Sequence, residues 1–267
     1  MTCGLRSALT GRLNPAISDW AGRRVWIVGA SSGIGAALAQ ALLDAGAHVA
    51  VSARRLDALE QVVAGRKAAL AVDFDATDPA AWPSAFERVV AGLGGIDLVV
   101  LGAARYEPAH SWDFDIAKVE ASFDLNVVSV YRALALVVPH LLAQGHGGIA
   151  LVGSIAAYTG LPRAMIYGAT KAALRNLAES LYFELEPRGL SVYLISPGFV
   201  ATPMSSVNDF PMPGLLTPPQ AAAHIIEGLE RGRFEIRFPR GFAGAVKWVS
   251  RLPERLRFWL LHKATGM

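Results

Sequence analysis

The sequence has 267 residues, 53% of them apolar and 18% charged, a composition that supports a large core and excludes a disordered chain. One cysteine, Cys3, cannot form an internal disulfide, and the six histidines show no ligand spacing, so a reducing compartment fits and no metal centre is expected. The net charge of +3 is uneven: from Pro239 onward, Arg240, Lys247, Arg251, Arg255, Arg257 and Lys263 face only Glu254, a surplus too small, and without a recognition motif, for nucleic-acid binding.

Residues 1–22 read as an irregular lead-in. The apolar run RVWIVG at 24–29 predicts a buried strand, and 34–45 has helical spacing that stops at Gly46. Strands are predicted at 48–53, 69–74 and 96–101. Helices are predicted at 56–64 and 79–93, the second opened by Asp78 as cap and Pro79 in its first turn. A long apolar helix at 118–143 follows, then strand 148–152, helix 166–186, strand 191–195, helix 218–231 and strand 234–238. Two further helical stretches, 242–250 and 254–264, divide at Pro253. The longest apolar stretch, around 133–142, is broken by Pro139 and reads as too short to span a bilayer. With no secretory signal visible, a cytoplasmic location is expected. Apolar strands alternating with helices predict one α/β domain, a doubly wound parallel sheet of about seven strands covered on both faces. That domain takes residues 1–238, and 239–267 form a basic, aromatic helical extension of it.

The first strand runs directly into Gly29-Ala30-Ser31-Ser32-Gly33-Ile34-Gly35 and then a helix. Glycines in this context let the backbone turn tightly and approach a pyrophosphate seated on a helix N-terminus. The second strand ends in Ala53-Arg54-Arg55. An acidic residue there would bond the ribose hydroxyls of NAD, whereas guanidinium forks suit the extra phosphate of NADP. Later come Ser154, Tyr167-Gly-Ala-Thr-Lys171 early in a predicted helix, and Asn126 within Asp-Leu-Asn-Val. The i,i+4 spacing puts Tyr167 and Lys171 on one helix face, where a lysine cation would lower the tyrosine pKa toward a useful range.

On the glycine turn, the Tyr–Lys pair, Ser154 and Asn126 taken together, residues of about 24 to 238 resemble the short-chain dehydrogenase/reductase family. The resemblance implies a Rossmann fold and an NADP(H)-dependent oxidoreductase that interconverts a carbonyl and an alcohol. In that family Tyr167 would act as general acid/base, Ser154 would stabilise charge on the substrate oxygen, Lys171 would hold the nicotinamide ribose, and Asn126 would orient the lysine through water. The resemblance further implies cofactor contacts from Gly29, Ser31, Ser32, Gly33, Ile34 and Gly35, from Arg54 with Arg55, from Asp75 beside the adenine, and from Ala103. Tyr167, Lys171, Pro197, Gly198, Phe199, Val200 and Thr202 would face the nicotinamide. Two positions depart from the family pattern. Val28 stands for a threonine, and Leu101-Gly102-Ala103-Ala104 stands for Asn-Asn-Ala-Gly. Both are apolar where the family is polar, a coupled exchange that can be nearly neutral when both partners change together. The alternative of another class is a catalytically silent dinucleotide-binding sensor or scaffold.

The segment 204–216, with Phe210, Met212, Leu215 and Leu216 among prolines, reads as an apolar substrate loop, joined by Tyr106, Tyr158, Leu161 and Met165. The same residues could equally be ordinary packing. A small hydrophobic carbonyl or alcohol substrate and a homodimer or homotetramer are expected. The tail at 240–264 either folds over the active-site mouth or meets a lipid surface through its basic and aromatic residues.

Overall fold

The computed structural model describes residues 12–266; Cys3 and the first half of the expected lead-in lie outside them. Seven parallel strands form one sheet in the order β3-β2-β1-β4-β5-β6-β7. They are β1 (Arg24–Val28), β2 (His48–Ala53), β3 (Ala69–Asp73), β4 (Leu98–Leu101), β5 (Gly147–Val152), β6 (Leu190–Pro197) and β7 (Glu235–Phe238). The helices are α1 (Gly33–Asp44), α2 (Leu56–Val63), α3 (Ala81–Leu93), α4 (Ile116–Phe123), α5 (Ser129–Gln144), α6 (Met165–Leu185), α7 (Pro218–Glu230), α8 (Arg240–Val249) and α9 (Glu254–Thr265).

The central strands are apolar on both sides because both sides are covered. On one face Trp26, Val99, Ile149 and Val192 pack with Trp82 and Val89 of α3, Val137 and Leu141 of α5, and Leu174 of α6. On the other, Ile27, Val51, Val100 and Ile195 pack with Leu38 and Leu42 of α1 and Ile225 of α7. Trp26 is fully buried, and its indole N–H donates to the Ser52 hydroxyl at 3.0 Å. The winding direction reverses between β1 and β4. Helices there leave toward opposite faces, which opens a crevice at the carboxyl ends of the strands.

The structure corrects three expectations about elements. The long helix is α4 and α5 joined by a π-helical turn, Asp124–Val128; the apolar periodicity runs through it, so the sequence shows no break. The whole run, Ile116–Gln144, is 29 residues and is long and apolar enough to cross a membrane by length and composition, contrary to the expectation from the shorter apolar stretch. Here Val130, Ala133, Leu134, Val137 and Leu141 bury its inner face in the core. Asp78 does not cap α3, which starts at Ala81. Its carboxylate accepts from the Ala80 N–H at 2.9 Å, closing a turn just before the helix. Pro83, not Pro79, occupies the first helical turn, where a missing N–H costs nothing.

Candidate active site

β1 runs into Gly29, whose φ of 91° lies in the left-handed region. A Cβ at Gly29 would come within 2.5 Å of the Ala103 amide nitrogen, and one at Gly35 within 2.4 Å of the Gly29 carbonyl oxygen. The end of β1, the loop after β4 and the first turn of α1 therefore touch backbone to backbone, and only glycine fits. Ser32 precedes α1 without a side-chain cap, so the first N–H groups of the helix are available to an anion at the cleft.

One cleft of about 1520 Å³ collects Gly29, Ser31, Ser32, Gly33, Ile34, Gly35, Arg54, Arg55, Asp75, Ala103, Ser154, Tyr167, Lys171, Pro197, Gly198, Phe199, Val200 and Thr202. Arg54 and Arg55 follow β2, are exposed, and enter no ion pair among the described residues. Asp75 follows β3 and accepts from the N–H and hydroxyl of Thr77 at 2.9 and 2.8 Å. Its partial burial favours the neutral acid, but the Thr77 bonds and the charge of Arg54 hold the carboxyl below its ordinary value.

Ser154, just beyond β5, is buried, and its hydroxyl accepts from the Ala156 N–H at 3.1 Å, capping the short 3₁₀ turn Ile155–Ala157. Tyr167 lies in the first turn of α6, and the Tyr106 ring meets it edge-on with centroids 5.0 Å apart. One turn later Lys171 is 2% exposed; its ammonium donates to the Val152 carbonyl at 2.8 Å and stands 5.5 Å from the Tyr167 ring centroid. Burial lowers Lys171 to about 8. Burial also pushes Tyr167 up to about 12, against a hydrogen bond with Ser154 that lowers it. The expected depression of the tyrosine pKa by the lysine is therefore absent from this arrangement. Desolvation dominates, and the ammonium is directed to a backbone carbonyl.

Asn126 is fully buried in the π-helical turn and does not reach the cleft. Its amide group donates to the Arg105 carbonyl (3.0 Å) and the Thr170 hydroxyl (3.1 Å), and its oxygen accepts from the Arg105 N–H (2.8 Å). It ties the loop after β4 to the helix turn that carries Lys171. π-Helical turns occur frequently at functional sites.

The two departures from the family pattern sit side by side. Val28 and Leu101 are register partners in adjacent strands, 3% and 4% exposed, in one core cluster. The Gly102 N–H still donates to the Val28 carbonyl at 2.9 Å, so the backbone ladder survives the loss of polar side chains.

Of the expected substrate residues, Tyr106, Leu161, Met204, Phe210 and Met212 line the cleft. Four others do not. Leu215 is 45% exposed, and Leu216 is taken up in a β-bridge to Val200. Met165 lines a separate small pocket beside Trp112. The Tyr158 hydroxyl donates to Glu235 at 2.7 Å, and burial together with that carboxylate raises its pKa. Sequence reasoning missed Arg105, Glu107 and Arg163. Phe242, Val246, Leu261, Ala264 and Thr265 of the tail complete the wall, as expected of a tail that folds over the active-site mouth.

A family model described as short chain dehydrogenase matches residues 23–210. An uncharacterized oxidoreductase of Myxococcus xanthus is 32% identical over 238 residues, 88% of this chain and 94% of its own length. A 3-alpha-(or 20-beta)-hydroxysteroid dehydrogenase of Mycobacterium bovis is 32% identical over 69% of this chain and 71% of its own length. A short-chain dehydrogenase structure from Streptomyces avermitilis superposes with a TM-score of 0.79 at 26% identity, over 91% of this chain and 98% of that one. Structural neighbours differ in the cofactor they carry. A 3-ketoacyl-(acyl-carrier-protein) reductase from Brucella melitensis is complexed with NADH (TM-score 0.75, 25% identity, 83% and 99% covered). A short chain dehydrogenase from Burkholderia cenocepacia holds NADP (TM-score 0.72, 27% identity, 82% and 96% covered). With a parallel seven-stranded sheet, a glycine turn at its switch point and a family match over most of its length, this chain belongs to the short-chain dehydrogenase/reductase family and is an oxidoreductase.

Proposed function

We propose that the protein interconverts a hydrophobic carbonyl compound and its alcohol with NADP(H), using Tyr167 as general acid and base. The observation that carries this reading is convergence: Tyr167, Ser154 and Lys171 open onto the same cleft as the glycine turn and the two arginines after β2. The cleft fits a dinucleotide. Its volume exceeds the ~300–1,000 Å³ of pockets for single small ligands, and its floor is a backbone cradle that any Cβ at Gly29 or Gly35 would fill.

When bound, the nicotinamide supplies the hydride, and the protein supplies position and electrostatics. The residues 29–35 and the N-terminus of α1 would hold the pyrophosphate. Arg54, helped by Arg55 and Ser31, would hold the extra phosphate. Asp75 would lie by the adenine, Ala103 by the near ribose, and Lys171 by the nicotinamide ribose. Pro197, Gly198, Val200 and Thr202 would border the nicotinamide amide. In the reducing direction Tyr167 gives its proton to the carbonyl oxygen and Ser154 donates a hydrogen bond to that oxygen, stabilising its developing charge. A tyrosine pushed up to about 12 keeps its proton across the neutral range, so the acid form is present in the reducing direction, though as a weaker donor than a group with a pKa near the working pH. Asn126 holds the Lys171 turn in place from behind.

The exposed pair of arginines and the lack of a carboxylate at the end of β2 support NADP(H) over NAD(H). A phosphate–guanidinium contact is worth about 1.5–3 kcal/mol, so NADPH is expected to bind about tenfold to a hundredfold more tightly than NADH. In Arg54→Asp that preference is lost or reversed. Equal dissociation constants in the parent protein would reject the assignment.

Tyr131, Leu142 and Phe183 on α5 and α6 are 54%, 41% and 78% exposed, and these helices are the proposed contact of a homodimer or homotetramer; a monomer in light scattering would exclude it. The location proposed is cytoplasmic. Trp248, Phe258 and Trp259 are exposed beside Arg251 and Arg255, a composition suited to peripheral contact with anionic lipid. Sedimentation with anionic vesicles that does not respond to salt, or does not occur, would count against that contact.

A further inference from the structure

The tail helices reach the reaction end of the cleft. Phe242 of α8 stacks on Phe199 with ring centroids 5.7 Å apart, and Phe199 meets Phe210 of the substrate loop edge-on at 5.9 Å. α8 also packs against the Ile155–Ala157 turn that Ser154 caps. Val246 of α8 and Leu261 of α9 add apolar side chains to the lining of the same cleft. The wall thus packs against the turn that carries the hydroxyl assigned to the substrate oxygen.

A wall built from the end of a chain needs an anchor. Glu235 of β7, with its side chain only 10% exposed, forms an ion pair with Lys247 of α8. The same carboxylate accepts from the hydroxyls of Tyr158 (2.7 Å) and Ser196 (3.2 Å) and lies 3.5 Å from Arg175 of α6. Lys247 and Arg175 both stand over the Tyr158 ring, 5.7 and 5.2 Å from its centroid. A desolvated ion pair with its remaining lone pairs satisfied fixes geometry well, and removing one partner leaves a buried charge. Nearer the start of α8, Arg240 pairs with Glu227 of α7 at 2.7 Å.

We infer that α8 and α9 are the specificity wall of the substrate chamber, that Phe242, Val246 and Leu261 select a substrate with a long apolar body attached to the reacting carbon, and that the Glu235–Lys247 clasp positions this wall. The substrate class rests on the carbonyl–alcohol reading above; the wall itself is read from binding, without turnover.

The test is equilibrium binding of nonan-2-one and butan-2-one to the full-length protein by calorimetry, with NADPH affinity and ketone turnover measured separately. Each extra methylene buried adds favourable transfer free energy, so nonan-2-one is expected to bind at least tenfold more tightly than butan-2-one. Val246→Trp, which fills the chamber, and Phe242→Ala, which opens it, each weaken nonan-2-one binding at least tenfold and leave NADPH affinity within twofold. Either variant alone suffices if the other does not fold. Lys247→Met weakens nonan-2-one binding in the same way, and Lys247→Arg restores it. Equal binding of the two ketones to the parent protein, or unchanged nonan-2-one binding in the folded wall variants, overturns the inference. Should no ketone be turned over while the binding differences stand, the carbonyl–alcohol reading falls and the wall remains.

Discussion

The two ends of the cleft are made of different material. Beneath the proposed pyrophosphate the walls are backbone. Gly29, Gly35 and the Ala103 amide approach so closely that no side chain can enter. At the substrate end the walls are side chains drawn from five separate segments, from Tyr106 to Leu261. The first kind of wall tolerates no substitution and is the same for any dinucleotide. The second can be exchanged residue by residue, which is how one fold can serve many substrates.

The sharpest way to break this contrast is Gly35→Val. Its Cβ would meet a carbonyl oxygen that belongs to the same rigid turn, so NADPH affinity is expected to fall by more than a hundredfold in a fluorescence titration. If the folded variant binds NADPH normally, the backbone cradle is not the cofactor site. Protonation gives the next effect. Below about pH 8 Lys171 carries its charge and Tyr167 its proton, so kcat/KM for ketone reduction is expected to be level. As pH rises through about 8 Lys171 becomes neutral, and the rate falls, while Tyr167, pushed up to about 12, still holds its proton. A profile level to pH 10 would show that the lysine charge is not needed.

A smaller effect tests the coupled exchange in the sheet. Val28→Thr puts a hydroxyl against Leu101 in a fully packed core, at a cost of about 1–3 kcal/mol in urea unfolding. A gain in stability would show that the two positions are not coupled. Least of all should change with Met212→Leu in the side-chain wall, a volume-conserving swap with an expected effect below ~1.5 kcal/mol on ketone binding and none on NADPH affinity.

The same contrast explains what the sequence could reveal. Buried parallel strands are apolar throughout, so all seven are readable within two residues or so of their ends, and the glycine turn is readable because sterics admit no other residue. The i,i+4 spacing of Tyr167 and Lys171 was enough to put them on one face. Their pKa values were not readable, because desolvation depends on what packs over them: Val152 and Ser154 come from the end of β5 and just beyond it, and Tyr106 from the loop after β4. The π-helical turn around Asn126 hides inside a continuous apolar period, and the residue's partners, Arg105 and Thr170, lie 21 and 44 positions away. In the tail, Pro253 marks the break between α8 and α9, but composition overstated the free charge. Arg240, Lys247 and Arg257 pair with Glu227, Glu235 and Glu254, so only part of the basic surplus is open to an external partner. Leu215, Tyr158 and Met165 look like pocket residues in sequence because side chains in loops and at helix starts carry no mark of the direction they face.

The most direct measurement is NADPH consumption across a panel of hydrophobic ketones and aldehydes by the parent protein and by Tyr167→Phe, with the NADPH dissociation constant of each determined alongside. The phenylalanine ring preserves the packing against Tyr106 and removes only the proton carrier. Turnover is expected to fall by at least about a hundredfold with NADPH affinity within twofold of the parent. A phenylalanine variant that keeps most of its rate would contradict the assignment of Tyr167 as the acid.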